Sequence, residues 1–384
     1  MAEESLVKTI EKLSKRFGKP VVLKGTDVPD CRKIPTDIPA FDYVAGGGFL
    51  VNQNNEIYGD FSSLKSYICY VAIGKFQKYD WGNNVPNAIS KIEYKTIKTR
   101  SKDENLEGLV FAEINKIHTR RGYKPKNKVV AKRVALIDME GTYDREWGAR
   151  LGIDNEGLLY YTGCSMNQAI DVMEVLLRNP EVCLVVLDSM SIIGSDQENE
   201  KSMEEDQMAT NARLWNKAAR KLRSALNENK DATLIAINAT STKIGGYGDS
   251  ETVKNGNQWK LFKSLSIRMN GLTPIKGKPD GVTEVTIGRN ISLKNKKNKF
   301  GEPYRESSFY ISFVDDGILK VGETDVVAQL VELGSLFQLI SRSGNVYTYG
   351  SVKANGIENF KNKLRESGEV DNLKQEVYKH INKR

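Results

Sequence analysis

Three compact apolar segments constrain the fold of this chain more than any other feature. They read VALID (134–138), VCLVVLD (182–188) and TLIAIN (233–238). Each is continuous rather than alternating, rich in β-branched residues, and too short for a helix that must bury itself. Such segments fit strands covered on both faces, as in a parallel sheet flanked by helices. The intervening chain supplies the helices. Residues 166–178 are periodic, and 208–229 place Leu214, Ala218, Leu222 and Leu226 on one face. Strands alternating with amphipathic helices predict an α/β fold with a mostly parallel sheet.

Upstream, the segment ending in EIYG leads to Gly59-Asp60-Phe61-Ser62-Ser63-Leu64-Lys65-Ser66, and a helix is predicted over about 65–78. Strand, tight loop and helix N-terminus are the setting a phosphate-binding loop needs. Backbone N–H groups and the helix terminus attract the anion, Lys65 would reach the β- and γ-phosphates, and Ser66 would bind Mg²⁺. Leu64 stands where the usual pattern has glycine. The strand 182–188 delivers Asp188 to its tip, where a second magnesium contact belongs. The strand 134–138 runs into Asp138-Met139-Glu140, placing at the same edge a carboxylate that can orient or deprotonate an attacking water. The expected ligands are ATP and Mg²⁺. Taken singly, each acid could equally be a helix cap or a surface residue. Three such elements in order on three strands argue for a nucleotide site.

The remaining composition narrows the chemistry. Of 384 residues, 57 are basic and 49 acidic, a net charge of +8. Residues 83–133 alone carry thirteen Lys and Arg against five Asp and Glu, which equals the whole excess. Residues 196–206 hold six acids, and 294–299 (KNKKNK) four lysines. Such runs are commonly solvated surface, yet beside an ATPase pattern they favour a polyanionic partner. Four scattered cysteines and two histidines, His118 and His380, leave no zinc site of usual spacing and no room for a Ser-His-Asp triad. No apolar run approaches the roughly 20 residues of a spanning helix. The N-terminus lacks a signal-peptide core. The expectation is a soluble, cytoplasmic protein that does not engage membranes.

At the ends, Leu6, Ile10, Leu13 and Phe17 form a narrow stripe on a helix predicted over 5–17. That stripe must dock on its own domain or on a neighbouring subunit. Strands are expected at 264–269, 283–287 and 308–314, the last with Phe309, Ile311 and Phe313 on its inner face. The expected division is 1–34 for docking, 35–324 for the core with an insertion at about 83–133, and 325–384 as a small C-terminal domain.

With these residues placed, the chain resembles the RecA-type recombinases, the bacterial RecA and phage UvsX family, over nearly its full length. The likeness rests on TIEKLSKRFGK, EIYGDFSSLKS, ALIDMEGTYDREWGARLGID, LVVLDSMSII, MATNARLWNKAARKLRSAL, TLIAIN, NGNQWKLF and DDGILKVGETDVVAQLVELG, in matching order and spacing. The resemblance implies an ATP-dependent helical filament on single-stranded DNA that pairs and exchanges strands with a homologous duplex. It implies a bacterial or phage-infected cell and single-strand-binding and mediator proteins as further partners. It makes Glu140 the catalytic carboxylate with Lys65, and Ser66 and Asp188 the magnesium residues. Asp144 and Trp147 fall at the adenine. The family's γ-phosphate sensor is a polar side chain just after the strand-ending asparagine; here that position is Ala239, so Asn238 or Thr240 would have to substitute. The family's two DNA loops correspond to about 195–207, strongly acidic here, and 240–257, with Lys243, Lys254, Gly256 and Asn257. Arg213, Arg220 and Lys221 match positions facing DNA phosphates. Arg289 matches one of a basic pair that reaches the neighbour's ATP, with Ile291 at the second position and Lys294 as its replacement. Segment 83–133 has no counterpart of this length.

Three functions follow for testing. The leading one is a DNA-dependent ATPase catalysing strand exchange. Leu64 and Ala239 motivate a second, a filamentous DNA-binding protein with weak or uncoupled hydrolysis. A RecA-fold helicase is third, disfavoured by the docking helix and by residues 325–384.

Overall fold

The computed structural model describes residues 30–81, 131–163, 165–190, 206–242, 251–252, 257–279 and 281–383, and isolated positions before residue 30. The chain divides into two units, 1–32 and 33–384. In the first, Lys8, Thr9, Glu11, Lys12, Lys15 and Arg16 are helical, whereas the apolar stripe at 6, 10, 13 and 17 lies outside the described residues. So do most of the basic insertion and most of both expected DNA loops.

The second unit opens with β1 (Lys33–Ile34), α1 (Pro39–Ala45), β2 (Phe49–Leu50) and β3 (Asn54–Gly59), followed by α2 (Lys65–Lys78). Past the insertion come β4 (Arg133–Asp138), α3 (Arg145–Arg150), β5 (Leu158–Tyr161), α4 (Met166–Arg178) and β6 (Val182–Asp188). Then follow α5 (Asp206–Glu228), β7 (Thr233–Ala239), the short pair β8 (Ser241–Thr242) and β9 (Glu251–Thr252), and α6 (Asn257–Phe262). The core closes with β10 (Leu265–Gly277), β11 (Val285–Asn298) and β12 (Glu306–Ser312).

Eight strands form one sheet in the order β12-β11-β10-β3-β7-β6-β4-β5. The six from β10 to β5 pair in parallel, and β11 and β12 add antiparallel at one edge. All seven residues of β6 are buried, as its unbroken apolar run requires. Helices α4 and α5 cover the sheet with Ala169, Ile170, Met173 and Leu177, and with Trp215, Ala218, Leu222 and Leu226. At about 1.5–3 kcal/mol for each large apolar side chain removed from water, this layer is a principal source of stability. Trp215 meets Trp259 of α6 edge to face, with ring centroids 4.9 Å apart. Register sets Asp138 beside Asp188 and Gly59 beside Ala239, so the tips of β3, β4, β6 and β7 share one edge.

Residues after the core form α7 (Val326–Leu336), a three-stranded sheet of β13 (Ser341–Ser343), β14 (Val346–Tyr349) and β15 (Val352–Asn355), then α8 (Ile357–Glu366) and α9 (Val370–Asn382). Their apolar faces build a second cluster around Leu330, Phe360, Leu373 and Val377.

Two readings of the later strands change. The segments expected at 264–269 and 283–287 belong to one long hairpin, β10 with β11, and all of the KNKKNK run except Lys299 lies in β11. Asn295, inside that run, is fully buried and donates to the Val44 carbonyl at 2.7 Å. The alternation at 308–314 stops early. Phe309 and Ile311 are buried, but β12 ends at Ser312, which turns inward, and Phe313 is 37% exposed.

Candidate active site at the carboxyl edge of the sheet

The loop from Asp60 to Leu64 connects β3 to α2 at this edge. Gly59 is required by packing: a Cβ there would stand 1.8 Å from the Met269 carbonyl oxygen of the neighbouring strand. Ser62 and Leu64 both adopt the left-handed conformation, with φ of 58° and 60°. Leu64 thus takes the backbone shape that glycine takes without strain, immediately before the first residue of α2. Ser63 is buried and donates to the Asp60 carbonyl at 2.7 Å, while Phe61 is 88% exposed. Lys65 folds over the loop and donates to the carbonyls of Asp60 (2.6 Å) and Gly59 (3.1 Å) and to the Ser63 hydroxyl (3.2 Å). Burial lowers its pKa, and the charges of Asp188, Asp60 and Glu140 act the other way.

Ser66 donates to Asp188 Oδ2 at 2.6 Å. Burial pushes the Asp188 carboxyl up to about 6, with Glu140 and Asp138 adding repulsion and Ser66 and Lys65 opposing it. A buried carboxylate beside two others is a place where a cation is favourable. Among the described residues no cluster of three or more His, Cys, Asp or Glu could hold a metal by itself. Ser66 and Asp188 fit Mg²⁺ as it is commonly held, by one or two protein oxygens with phosphates and water completing the shell.

Glu140 is exposed at the mouth, accepting from the Ser189 hydroxyl at 3.1 Å. Its position depends on Asp138, a residue to which sequence reasoning gave no separate role. Asp138 Oδ1 accepts from the backbone N–H of Glu140 (3.1 Å) and Gly141 (2.9 Å), and Oδ2 from Tyr143 N–H (2.9 Å) and the Tyr160 hydroxyl (3.0 Å). The signal was present: an aspartate three residues before a turn glycine can accept from the N–H groups two and three positions on, as in an Asx turn.

Asp144 caps α3, accepting from the N–H groups of Glu146 (2.8 Å) and Trp147 (3.0 Å). Trp147 is half-buried rather than a core residue, and its ring lies over Gly322, where a Cβ would fall 2.5 Å from Cη2. Asn238, at the tip of β7, is buried and donates to Glu56 at 3.3 Å. Next to Ala239, the hydroxyl of Thr240 donates to the Asp60 carboxylate of the phosphate loop.

The basic residues separate into two groups. Arg213 and Arg220 are exposed on α5. Lys221 is instead engaged by Asp171 (3.0 Å) and Glu174 (3.1 Å) of α4, because it sits one residue off the Arg213–Arg220 face, towards that helix. Arg289 fastens its own hairpin to its own phosphate loop, donating to the carbonyls of Leu272 (2.5 Å), Ser62 (3.0 Å) and Gly271 (3.2 Å). Ile291 is fully buried, and Lys294 pairs with Glu306 across β12. Lys297 and Lys299, which sequence reasoning treated only as part of a run, donate to the carbonyls of Lys260 and Leu261 at α6. Burial lowers the pKa of both lysines. Asn257 is the exposed first residue of α6. Lys243, Lys254 and Gly256 lie outside the described residues.

A mostly parallel sheet with a lysine-bearing loop, a serine bonded to a strand-tip aspartate and a second acid at one edge defines a RecA-type P-loop ATPase core. Residues 125–319, which include Glu140, Asp188, Asn238 and Arg289, match the family model of the RecA N-terminal domain. Curated relatives extend the match beyond that stretch. The chain is 30% identical to Protein RecA of Chlorobaculum parvum over 96% of this chain and 90% of that protein. It is 29% identical to Protein RecA of Bacteroides thetaiotaomicron over 91% and 88%, and 28% identical to that of Porphyromonas gingivalis over 96% and 91%. The chain belongs to the RecA family.

Proposed function

We propose that this protein is a DNA-dependent ATPase that assembles as a helical filament on single-stranded DNA and catalyses pairing and strand exchange with a homologous duplex. The convergence of Lys65, Ser66, Glu140 and Asp188 at one sheet edge is the observation that carries the reading. Lys65 exchanges its loop carbonyls for the β- and γ-phosphates, and the low local polarity strengthens that contact. Ser66 and Asp188 would hold Mg²⁺, which would supply charge neutralisation on the transferring phosphoryl group. Glu140, fixed by Ser189 and by the Asp138 turn, orients the attacking water and accepts its proton.

Arg213 and Arg220 of α5 supply the phosphate contacts towards DNA, so binding weakens as salt rises, without sequence preference. Lys221, held by two acids, contributes there only by giving up those partners. The loops at 195–207 and 240–257 are the proposed strand-binding segments, and a neighbouring protomer completes the nucleotide site.

Strand exchange with ATP, compared with a non-hydrolysable analogue, is the direct test. Lys65→Ala, which removes a phosphate contact, and Glu140→Gln, which removes the base, are each expected to reduce DNA-stimulated hydrolysis by at least about 10²-fold, with cooperative melting retained. Wild-type rates in either variant refute the site. Ala239 keeps a second reading in play, in which the filament forms without coupling to hydrolysis. A protein that binds single strands while its ATPase stays at baseline would select that reading.

A further inference from the structure

One buried carboxylate is not used by the chemistry above. Glu56, in the middle of β3, is fully buried three residues before the phosphate loop begins. Four side-chain donors converge on it. Asn238 Nδ2 (3.3 Å) and Trp259 Nε1 (3.2 Å) reach Oε1, and Ser266 Oγ (2.7 Å) and the Lys263 ammonium reach Oε2. Lys263 is itself oriented by Ser266 Oγ at 3.2 Å and lies 5.7 Å from the Tyr58 ring centre.

The position of these donors in the chain matters more than their number. Asn238 is the penultimate residue of β7, which leads into the 240–257 segment. Trp259 and Lys263 lie on and just after α6, which leaves it. The N-terminus of α6 is tied to α5 by Asn216 Oδ1, which accepts from Gln258 N–H at 2.9 Å, and α5 carries Arg213 and Arg220. One carboxylate on the phosphate-loop strand therefore closes the base of that loop from both sides. Removing one partner of such a buried, hydrogen-bonded ionic group is costly, so its arrangement is all-or-none rather than gradual.

We propose that Glu56 is a positioning residue that links nucleotide occupancy at Asp60–Ser66 to the 240–257 segment. This rests on the strand-exchange ATPase reading above. Asn238 Nδ2 holds Glu56 at 3.3 Å, so a bound phosphate that draws the amide towards itself competes with that contact. Its loss loosens the hold on Trp259 and Lys263, shifting α6 and the loop that it ends. The coupling that Ala239 does not supply through its side chain runs through the buried carboxylate instead, alongside the Thr240–Asp60 contact.

Two variants test this in the full-length protein. Glu56→Gln keeps the shape but presents an amide to Lys263 and Ser266. Ser266→Ala removes one neutral donor, leaves the Lys263–Glu56 ion pair in place, and decides the question if the first variant does not fold. Two quantities are read. The first is amide hydrogen exchange over residues 257–266 with and without a non-hydrolysable ATP analogue, in the absence of DNA. The second is the ratio of hydrolysis rates with and without oligo-dT. In the wild type, the analogue is expected to change exchange over 257–266. In the variants that response is lost and the hydrolysis ratio falls by about tenfold, a typical size for coupling between sites, while the DNA-free rate stays within about twofold.

An unchanged exchange response in a folded variant, or no response in the wild type, overturns the proposal. A wild-type exchange response without any DNA stimulation leaves the link standing and removes the strand-exchange reading.

Discussion

Leu64 holds a backbone conformation that costs a non-glycine residue roughly 1–2 kcal/mol. Glycine would relieve that strain but lose about 0.5–1 kcal/mol to its freer unfolded chain. Leu64→Gly should therefore leave stability unchanged or raise it by up to about 1 kcal/mol, with ATP binding retained. Leu64→Val, β-branched and poorly suited to positive φ, should lose about 1–3 kcal/mol. Urea midpoints for the two variants check this, and equal midpoints would show that the loop does not impose its φ on residue 64. The contrast between Leu64 and Glu56 shows what a sequence exposes. The convergence of Lys65, Ser66, Glu140 and Asp188 was legible because each position is fixed by a strand tip and the few residues around it. The role of Glu56 was not, because its donors lie 182 to 210 positions away. Nothing in EIYG says that they will meet. The ion pairs of Lys221 were hidden for a related reason: helical spacing places it near Arg220 but does not reveal the acids Asp171 and Glu174 on the adjacent helix.

At the scale of elements, boundaries were clear where an apolar run is bounded by turn or cap residues. The helices predicted at 65–78 and 166–178 appear with those limits, the latter capped by Ser165 accepting from Gln168 N–H at 3.4 Å. The β10–β11 hairpin was read too short because the outer half of β10 is largely exposed and the inner half of β11 carries most of the KNKKNK run, so hydrophobic patterning ends before hydrogen bonding does. Close packing between elements was also hidden. In α2, Gly74 abuts the Gly152 backbone, where a Cβ would lie 2.7 Å from the carbonyl oxygen. Gly152 has φ of 95° and ends α3 in a two-bond cap, Ile153 N–H to Gly148 O and Gly152 N–H to Ala149 O, both 3.0 Å. A backbone so fixed cannot swing away. Alanine in a helix interior gains about 1 kcal/mol over glycine, but overpacking costs about 1–3 kcal/mol. Gly74→Ala should accordingly lower stability by up to about 2 kcal/mol, read as an earlier denaturation midpoint. A stabilised Gly74→Ala protein would mean that α2 and the α3 terminus are free to separate.

At the scale of the whole molecule, the C-terminal elements are tied to the ATPase core through α1. Ala40 N–H donates to Gln329 at 3.1 Å, the Tyr43 and Phe337 rings meet edge to face, and Lys374 pairs with Asp37 at 3.0 Å. The deepest tie is Asp42, fully buried, which accepts from Thr36 N–H (2.8 Å), Thr36 Oγ1 (2.9 Å), Asp37 N–H (3.0 Å) and the Tyr378 hydroxyl of α9 (2.6 Å). Burial pushes the Asp42 carboxyl up to about 6, against the pull of the Thr36 and Tyr378 donors. A raised carboxyl means that the folded protein holds a proton which the unfolded chain has released. The stability this contributes is complete below the ordinary value of 3.8 and is lost as pH rises through about 6. Asp37, whose value is lowered with Lys75 and Lys374 as its cationic partners, titrates below that window and does not confuse it. Above pH 6 the Tyr378 hydroxyl serves an ionised acceptor, where a hydrogen bond contributes about 1.5–3 kcal/mol rather than 0.5–1.5. Tyr378→Phe is therefore expected to cost about 2 kcal/mol at pH 8 and about 1 kcal/mol at pH 5. Denaturant melts of both proteins at the two pH values measure the difference. An equal loss at both would show that Asp42 keeps one protonation state across the range and that the tie between core and C-terminal elements is insensitive to pH.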